Sequence, residues 1–329
     1  MQCPVNLLEA FRYNILILKI TAVWSFSGEF WYKIYKYVVT CGVSLNYFTL
    51  MVYLTIHYHD SDIADRLYSL PGLTQSFIKF HLFRKNFRQI NETLKMLQMH
   101  TCQPRTDAQK EILDDSIHDA NFFVKLYATV TAFLVGTYVL RPLFAEGKQL
   151  PTLAWMPFDY QQPIVYEIIF TYVSICTLYL ACVNVATDSF ICISMMQIGS
   201  QCDLICDTLR NIYAISKTNS KSEHGDNAIR KILIECINHY NLILRYANLL
   251  ADAYKEMVMA QFVCSLISIC STMYQLSVVN PLSPQFFQLV CFQSGATCEI
   301  FFYCFFGNLI IEKVGIFEIF VDNRLTDNL

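Results

Sequence analysis

Apolar residues are gathered into six long stretches, at residues 34–56, 62–83, 122–144, 164–187, 257–279 and 286–311. A bilayer core about 30 Å thick needs about 20 apolar residues per helix, so each stretch is long enough to cross it. The second stretch is the weakest, because Asp62, Asp65 and Arg66 stand at its start and Lys79 near its end. The pattern predicts an all-α, multi-pass transmembrane helical bundle of six spans. The first 33 residues are predicted to form an interfacial segment.

Two helices are predicted to continue beyond the bilayer. From Ile191 to Ile212, and again from Ile229 to Met257, apolar residues recur at alternating spacings of four and three. A polar turn at 216–226 separates the two runs. A heptad repeat of this kind buries one face of a helix against a partner. The fold is therefore predicted to include long cytoplasmic helix extensions that pair antiparallel, and a shorter stripe from Phe83 to Leu97 extends the second span.

Composition and charge agree with a membrane protein. Hydrophobic residues make up 54% of the chain and charged residues only 16%, whereas soluble domains carry about 25% charged residues. Lys and Arg cluster before the first span, between spans two and three, and between spans four and five, while the opposite loops hold only Lys148. Positively charged loops remain inside, so the N-terminus is predicted to be cytoplasmic. The net charge of −3 gives no support for a nucleic-acid partner.

Motifs typical of enzymes are missing from the sequence. It contains no P-loop, GxGxxG, GxSxG or HExxH motif, so we expect neither an enzyme nor a cofactor. Most of the 14 cysteines lie in apolar runs and are interpreted as small hydrophobic residues. Cys202, Cys206, Cys236 and His239 have a loose metal-like spacing but no CxxC pair, so we expect no metal site.

Ionisable residues inside a membrane span are functional candidates, because burying a charge in lipid is costly. Glu299 lies in the middle of the sixth apolar stretch, and Glu167 lies one turn into the fourth. For Glu299 two interpretations are open: a role in conduction or ligand gating, or a protonated or hydrogen-bonded carboxyl group between helices. Asp188, one turn after Asn184, is interpreted as a polar contact between helices.

A ligand cavity is predicted near the outer ends of spans three, four and five. Small apolar molecules bind in mostly hydrophobic pockets that contain a few orienting polar groups. On the third span, Phe133, Gly136 and Leu140 share one face, and Gly136 would allow a ligand to approach the helix. The full set of candidate ligand-binding residues is Phe133, Gly136, Thr137, Leu140, Ile168, Tyr172, Cys270, Ser271 and Tyr274. Plain packing of aromatic residues at helical spacing remains the alternative for each of them.

Several short motifs, in order, resemble those of the insect odorant receptors. Residues 150–159 (LPTLAWMPFD) are similar to the outer loop of the family, and 303–308 (YCFFGN) are similar to its YC.FG element. Between them lie Asn184, Asp188 and Ser189, then CINH at 236–239 and YQL at 274–276, which resemble further family patterns. Together these motifs fall within residues 10–310.

This resemblance implies a tuning subunit in the plasma membrane, with a pocket for a volatile small molecule. It also implies a cation channel formed with the odorant receptor co-receptor as a hetero-oligomer, a tetramer. A receptor of the gustatory type remains the alternative.

The resemblance weakens at the C-terminus, where the family has a seventh, pore-lining helix. We therefore divide the chain into an odorant-receptor-like domain, 1–311, and an atypical short tail, 312–329, which is too short to span again. On this interpretation the chain has six spans against seven in the family and lacks the pore helix. A non-conducting, truncated membrane protein is the corresponding alternative.

Overall fold

A computed structural model describes residues 5–24, 30–56, 68–144, 147–219, 225–281 and 283–326, which are helical almost throughout and contain no β-strand. The α-helices are α1 (Arg12–Ile20), α2 (Phe30–Ile56), α3 (Leu70–Lys85), α4 (Phe87–Leu97), α5 (Asp107–Leu140), α6 (Pro163–Arg210), α7 (Ile212–Asn219), α8 (Gly225–Val278) and α9 (Pro284–Thr326). Short 3₁₀ turns lie at Leu7–Phe11, His100–Cys102 and Arg141–Phe144. The prediction of an all-α, multi-pass helical bundle is confirmed.

Five helices among the described residues are long and apolar enough to cross a membrane. They are Phe30–Ile56, Asp107–Leu140, Pro163–Arg210, Asn227–Val278 and Pro284–Gly315, and each contains one of the predicted spans or most of it. The second predicted span, 62–83, is not among them. Residues 62–67 fall outside the described part of the chain, and α3 has 16 residues, fewer than the roughly 20 needed to cross a bilayer.

Helix α6 is the centre of the bundle. It packs against α1, α3, α5, α8 and α9, and every residue from Val183 to Ser194 is buried. A helix buried on all sides must have other helices all around it. Polar residues such as Asn184 and Asp188 are therefore brought into the interior of the protein, where they must find partners.

The predicted antiparallel pair is formed by the second half of α6 and the first half of α8. At about 1.5 Å per residue, these helices of 48 and 54 residues extend far beyond a bilayer. Ile198 and Cys202 of α6 are buried, as are Ile243 and Leu250 of α8. The predicted register departs at Leu233, which is 41% exposed, and the neighbouring Ile232 is buried in its place.

The N-terminal segment packs into the helical core, which differs from the predicted interfacial position. Phe11 is fully buried, and its ring centroid lies 4.7 Å from that of Phe190 in α6. Asn14 Nδ2 donates hydrogen bonds to the Ala186 carbonyl (3.0 Å) and to Ser189 Oγ (2.7 Å). An interfacial helix and a helix that buries its apolar residues against protein show the same amphipathic spacing, so the sequence pattern does not distinguish them.

Helix α9 is continuous across residue 311 and continues to Thr326. Beyond the apolar stretch, Lys313 Nζ lies 2.9 Å from Asp203 Oδ2 and joins α9 to α6. The residues after 311 thus continue a helix of the bundle as far as they are described. The division of the chain at residue 311 stays a prediction.

Candidate functional site

A cavity of about 370 Å³ lies between five helices in the loop end of the bundle, the end where residues 147–162 join α5 to α6. Its volume falls within the range of small-molecule pockets, about 300–1,000 Å³. The walls are mostly apolar, with Leu73 from α3, Leu126, Val130 and Leu134 from α5, Leu180 from α6, and Phe292 and Phe302 from α9. Helix α8 contributes Ser265 and Ser268. The shape and chemistry of the cavity suit a small apolar molecule.

A smaller pocket of about 20 Å³ adjoins the cavity at the loop end. The two share Ser69, Tyr138 and Gln288 as lining residues. Tyr138 Oη donates a hydrogen bond to Ser69 Oγ at 3.1 Å, which places the start of α3 beside the end of α5. Arg141 and the loop residues 149–151 and 153 complete the pocket. The loop end of the cavity is therefore more polar than its walls.

The opposite end of the cavity, its floor, is built around the Glu299 carboxylate. Glu299 Oε1 accepts a hydrogen bond from Asn184 Nδ2 at 2.8 Å. Its Oε2 accepts two more, from Gln75 Nε2 at 2.8 Å and Gln261 Nε2 at 2.7 Å. Amide donors from three helices thus converge on one side chain of a fourth. Of the two interpretations offered for Glu299, hydrogen bonding between helices is what the geometry shows.

Immediately beyond the floor lies a buried ion pair. Lys79 Nζ lies 2.5 Å from Asp188 Oδ1, with the two side chains 0% and 5% exposed. Lys79 also donates to Asn184 Oδ1 at 2.6 Å. The hydroxyls of Tyr303 and Tyr127 donate to Asp188 at 2.8 and 3.2 Å. The prediction that Asp188 makes a polar contact between helices is confirmed.

Asn184 connects the cavity floor to the ion pair. Its amide oxygen accepts from Lys79, while its amide nitrogen donates to Glu299. A single side chain one turn before Asp188 therefore joins the group that faces the cavity to the charges below it. Because hydrogen bonds inside a low-dielectric interior reinforce one another, these residues act as one network across α3, α5, α6, α8 and α9.

Of the nine predicted ligand-binding residues, only Thr137 lies on the cavity wall described above. Phe133 and Leu140 on α5, Ile168 on α6 and Tyr274 on α8 are 66%, 51%, 65% and 65% exposed. Each therefore points outward, toward lipid in a membrane. The ligand-binding role of all nine stays a prediction, but the structure places only Thr137 on the wall of the cavity.

The other predicted residues are placed as follows. A Cβ built on Gly136 would meet no atom within 4 Å, so this position faces open space outside the cavity. Tyr172 Oη donates to the Gly42 carbonyl at 2.7 Å and joins α6 to α2. Ser271 donates to Ile267 within its own helix, and Cys270 is exposed.

Sequence reasoning missed most of the site because apolar spacing cannot separate the lipid-facing side of a helix from the inward-facing one. On α5 the cavity lies against Tyr127, Val130, Leu134 and Tyr138, a face rotated from the predicted one. Lys79 was the available signal. A lysine inside an apolar stretch of a membrane protein requires a buried partner and marks the helix face that turns inward.

The loose metal-like group is not assembled into a metal site. His239 Nε2 lies 2.9 Å from Gln201 Oε1, which makes this histidine a hydrogen-bonding residue between α6 and α8. Within the described ranges no group of three His, Cys, Asp or Glu side chains is arranged to hold a metal ion.

Comparison with known proteins bears directly on the identity of the chain. Residues 61–318 match the family model described as 7tm odorant receptor. The chain belongs to the 7tm odorant receptor family. This is a family of receptors and not of enzymes, which agrees with the absence of catalytic motifs, and it makes the chain a multi-pass membrane protein.

Individual family members are distant in sequence. Odorant receptor Or1 of Anopheles gambiae is 24% identical over 284 residues, which cover 79% of this chain and 67% of that protein. Odorant receptors 33a and 22c of Drosophila melanogaster are each 24% identical. The match to 33a covers 70% of this chain and 60% of 33a, and the match to 22c covers 74% of this chain and 64% of 22c. The chain thus spans roughly two thirds of the length of these odorant receptors.

The fold is shared with a solved odorant receptor structure. The insect olfactory receptor OR5 from Machilis hrabei superposes with a TM-score of 0.76 at 18% identity, covering 93% of this chain and 80% of that one. The same receptor in complex with eugenol gives a TM-score of 0.75 at 17% identity. At 17–18% identity, this similarity shows that the two proteins share the same helical fold.

Proposed function

We propose that this chain is an odorant receptor subunit that binds a small, mostly apolar volatile molecule in the cavity between α3, α5, α6, α8 and α9. The observation that carries the proposal is the 370 Å³ cavity between five helices, with apolar walls and a polar floor, inside a chain of the odorant receptor family. The complex of Machilis hrabei OR5 with eugenol supports it, because that receptor of the same fold takes a small ligand.

Burial favours this cavity over the helix faces predicted from the sequence. A small ligand gains affinity mainly by removing apolar surface from water, and pockets typically bury 70–90% of it. Phe133 and Ile168, each about two thirds exposed, lie on the lipid-facing side, where a ligand would exchange one apolar solvent for another. The cavity beside Thr137 is instead lined by side chains of five helices, which can cover a larger part of a ligand.

Adjacent positions on α5 provide the test. Thr137 lines the cavity, whereas Gly136 next to it faces open space. Thr137→Trp should fill part of the cavity and abolish ligand-dependent thermal stabilisation of the purified protein in nanodiscs. Gly136→Trp adds a side chain of the same size toward lipid and should retain that stabilisation. Loss of binding in the Gly136 variant alone would move the ligand to the opposite face of the helix and contradict the proposal.

The resemblance also supports two further parts of the proposal: the subunit assembles with the odorant receptor co-receptor, and ligand binding opens a cation channel. Association is measured by co-purification of the 329-residue chain with the tagged co-receptor. Gating is measured as whole-cell current in cells that express the receptor together with the co-receptor. Ligand-evoked current should be present with the wild-type sequence and absent with Thr137→Trp, at equal surface amounts.

We also propose a plasma membrane location with the N-terminus in the cytoplasm. The distribution of Lys and Arg between the loops supports this orientation. Glycosylation sites inserted into residues 145–163 should be modified, and sites inserted into residues 216–228 should not. Modification of the second segment alone would reverse the orientation.

A further inference from the structure

The floor of the cavity contains a hydrogen-bond acceptor that has no partner. Gln75 lines the cavity, is 5% exposed, and its Oε1 is buried without a hydrogen bond. The orientation of its amide is fixed from the other side, because its Nε2 must face Glu299 Oε2, an acceptor. An unsatisfied buried acceptor costs free energy, so a ligand whose donor pairs with it gains binding free energy.

Glu299 adds a second accepting position beside Gln75. A carboxylate has about four lone-pair sites, and Glu299 uses three of them, two at Oε2 and one at Oε1. Its Oε1 therefore retains capacity for one more donor. Glu299 lies on the cavity wall and is partly exposed, so a ligand can reach it.

Hydroxyl groups higher on the walls are already donating. Ser76 and Thr177 donate to carbonyls one turn earlier in their own helices. Ser268 donates to the Tyr68 carbonyl at 3.2 Å. Their oxygens can still accept, but each of these hydroxyl groups already makes one hydrogen bond, whereas Gln75 Oε1 makes none.

Resting on the proposed function, we infer that the cavity selects apolar molecules that carry a hydrogen-bond donor, such as a hydroxyl group, over ethers of the same size. The hydroxyl hydrogen is directed to Gln75 Oε1 and Glu299 Oε1, and the apolar body fills the space along α5 and α9. An ether has only an acceptor, so it leaves Gln75 Oε1 unpaired and brings a second oxygen toward it.

Isomeric alcohol and ether pairs test the inference in the wild-type protein. Octanol is compared with heptyl methyl ether, and phenylethanol with benzyl methyl ether. Dissociation constants are obtained from the concentration dependence of thermal stabilisation of the full chain in nanodiscs. For each isomer pair that binds, we expect the alcohol to bind about tenfold more tightly than the ether, which is the magnitude of one net hydrogen bond. Apolar burial alone would favour the ether, because it is the less polar isomer.

The variant Gln75→Met tests whether Gln75 is the source of the preference for alcohols. It removes the acceptor with little change in volume and should reduce the ratio of the ether to the alcohol dissociation constant about tenfold, to one or below; the hydration of the two ligands cancels in this comparison between variants. Gln293 provides a matched control. It also has a buried, unpaired Oε1 but does not line the cavity, so Gln293→Met should retain the wild-type ratio.

The outcomes separate the inference from the proposed function. Equal binding of both isomers by the wild-type protein would overturn the inference and leave the cavity as the binding site. Failure of every isomer to stabilise the protein would overturn both. Gln288 at the loop end also has unpaired amide atoms and lines the cavity. A preference lost in Gln288→Met but kept in Gln75→Met would place the donor at the loop end and overturn the assignment to the floor.

Discussion

Lys79 of α3 and Asp188 of α6 form an ion pair with 2.5 Å between Nζ and Oδ1, and neither side chain is more than 5% exposed. Two charges with little access to water are tolerable when close pairing and further hydrogen bonds compensate for their lost hydration. The partners here are Asn184 for the lysine, and Tyr127 and Tyr303 for the aspartate. The pair thereby fixes α3 against α6 directly below the cavity.

Removal of one member of this pair should destabilise the protein strongly. Lys79→Met leaves Asp188 as an uncompensated buried charge, and loss of one partner of a buried pair typically costs about 3–5 kcal/mol. We expect a large fall in the thermal unfolding midpoint of the purified protein in nanodiscs. Lys79→Met combined with Asp188→Leu should recover part of the loss, because no charge then remains. Equal stability of the single and double variants would contradict this account.

The Lys313–Asp203 bridge between α9 and α6 is the matched control. Its side chains are 32% and 35% exposed, and solvated pairs contribute about 0–1 kcal/mol. Lys313→Met should therefore lower the unfolding midpoint far less than Lys79→Met, although both variants break a lysine–aspartate contact of α6.

The fold was predictable because its main determinants are local. Apolar length located five helices that can cross a membrane, and the heptad spacing located the antiparallel extensions of α6 and α8. Leu233 shows the limit of such reasoning. A one-residue shift in register exposes it and buries Ile232, and spacing alone does not distinguish two adjacent apolar residues.

The site was less predictable because it depends on which face of each helix turns inward. Phe133 and Leu134 are adjacent and both apolar, yet Phe133 is 66% exposed and Leu134 lines the cavity. In lipid both faces of a helix are apolar, so periodicity carries little information about orientation. Polar residues inside spans carry more, and Lys79, Asp188 and Glu299 mark the inward faces of α3, α6 and α9.

Substitution of Glu299 should test the floor of the cavity as a structural unit. Glu299→Leu leaves amide donors of Gln75, Asn184 and Gln261 facing an apolar side chain, and each buried donor left without a partner costs about 1–3 kcal/mol. Glu299→Gln retains one accepting oxygen and should be less harmful. Thermal unfolding of both variants checks the order, and the account fails if the leucine variant is as stable as the glutamine variant.

Cys102, outside the membrane spans, should make stability depend on alkaline pH. It is 3% exposed, and burial raises the pKa of its thiol to about 11. The unfolded chain therefore loses this proton at lower pH than the folded chain does, and the contribution to stability is full below about pH 9 and is lost as pH rises to about 11. Two pKa units correspond to about 2–3 kcal/mol.

Thermal unfolding midpoints measured from neutral pH to pH 11 in wild type and Cys102→Ala check this prediction. The wild-type midpoint should fall more steeply than that of the variant above pH 9. Parallel curves would show that Cys102 does not contribute to the pH dependence.

Gly295 of α9 should set the length of ligand that the cavity accepts. It lines the cavity, and a Cβ built on it would lie 3.1 Å from Leu134 Cδ1 on the facing wall. In Gly295→Ala the end of Leu134 must shift slightly to admit the new methyl group, and the space available to a ligand should shrink by about the volume of that group. Each buried CH₂ contributes about 0.8 kcal/mol, and the longest members of a series of linear alcohols should lose several-fold in affinity. Short alcohols should bind as they do to wild type.

Gly42→Ala is the control, since a Cβ there meets nothing within 4 Å and the residue does not line the cavity. An equal loss of affinity for short and long alcohols in Gly295→Ala would mean that the alanine perturbs the helix rather than the length of the binding site.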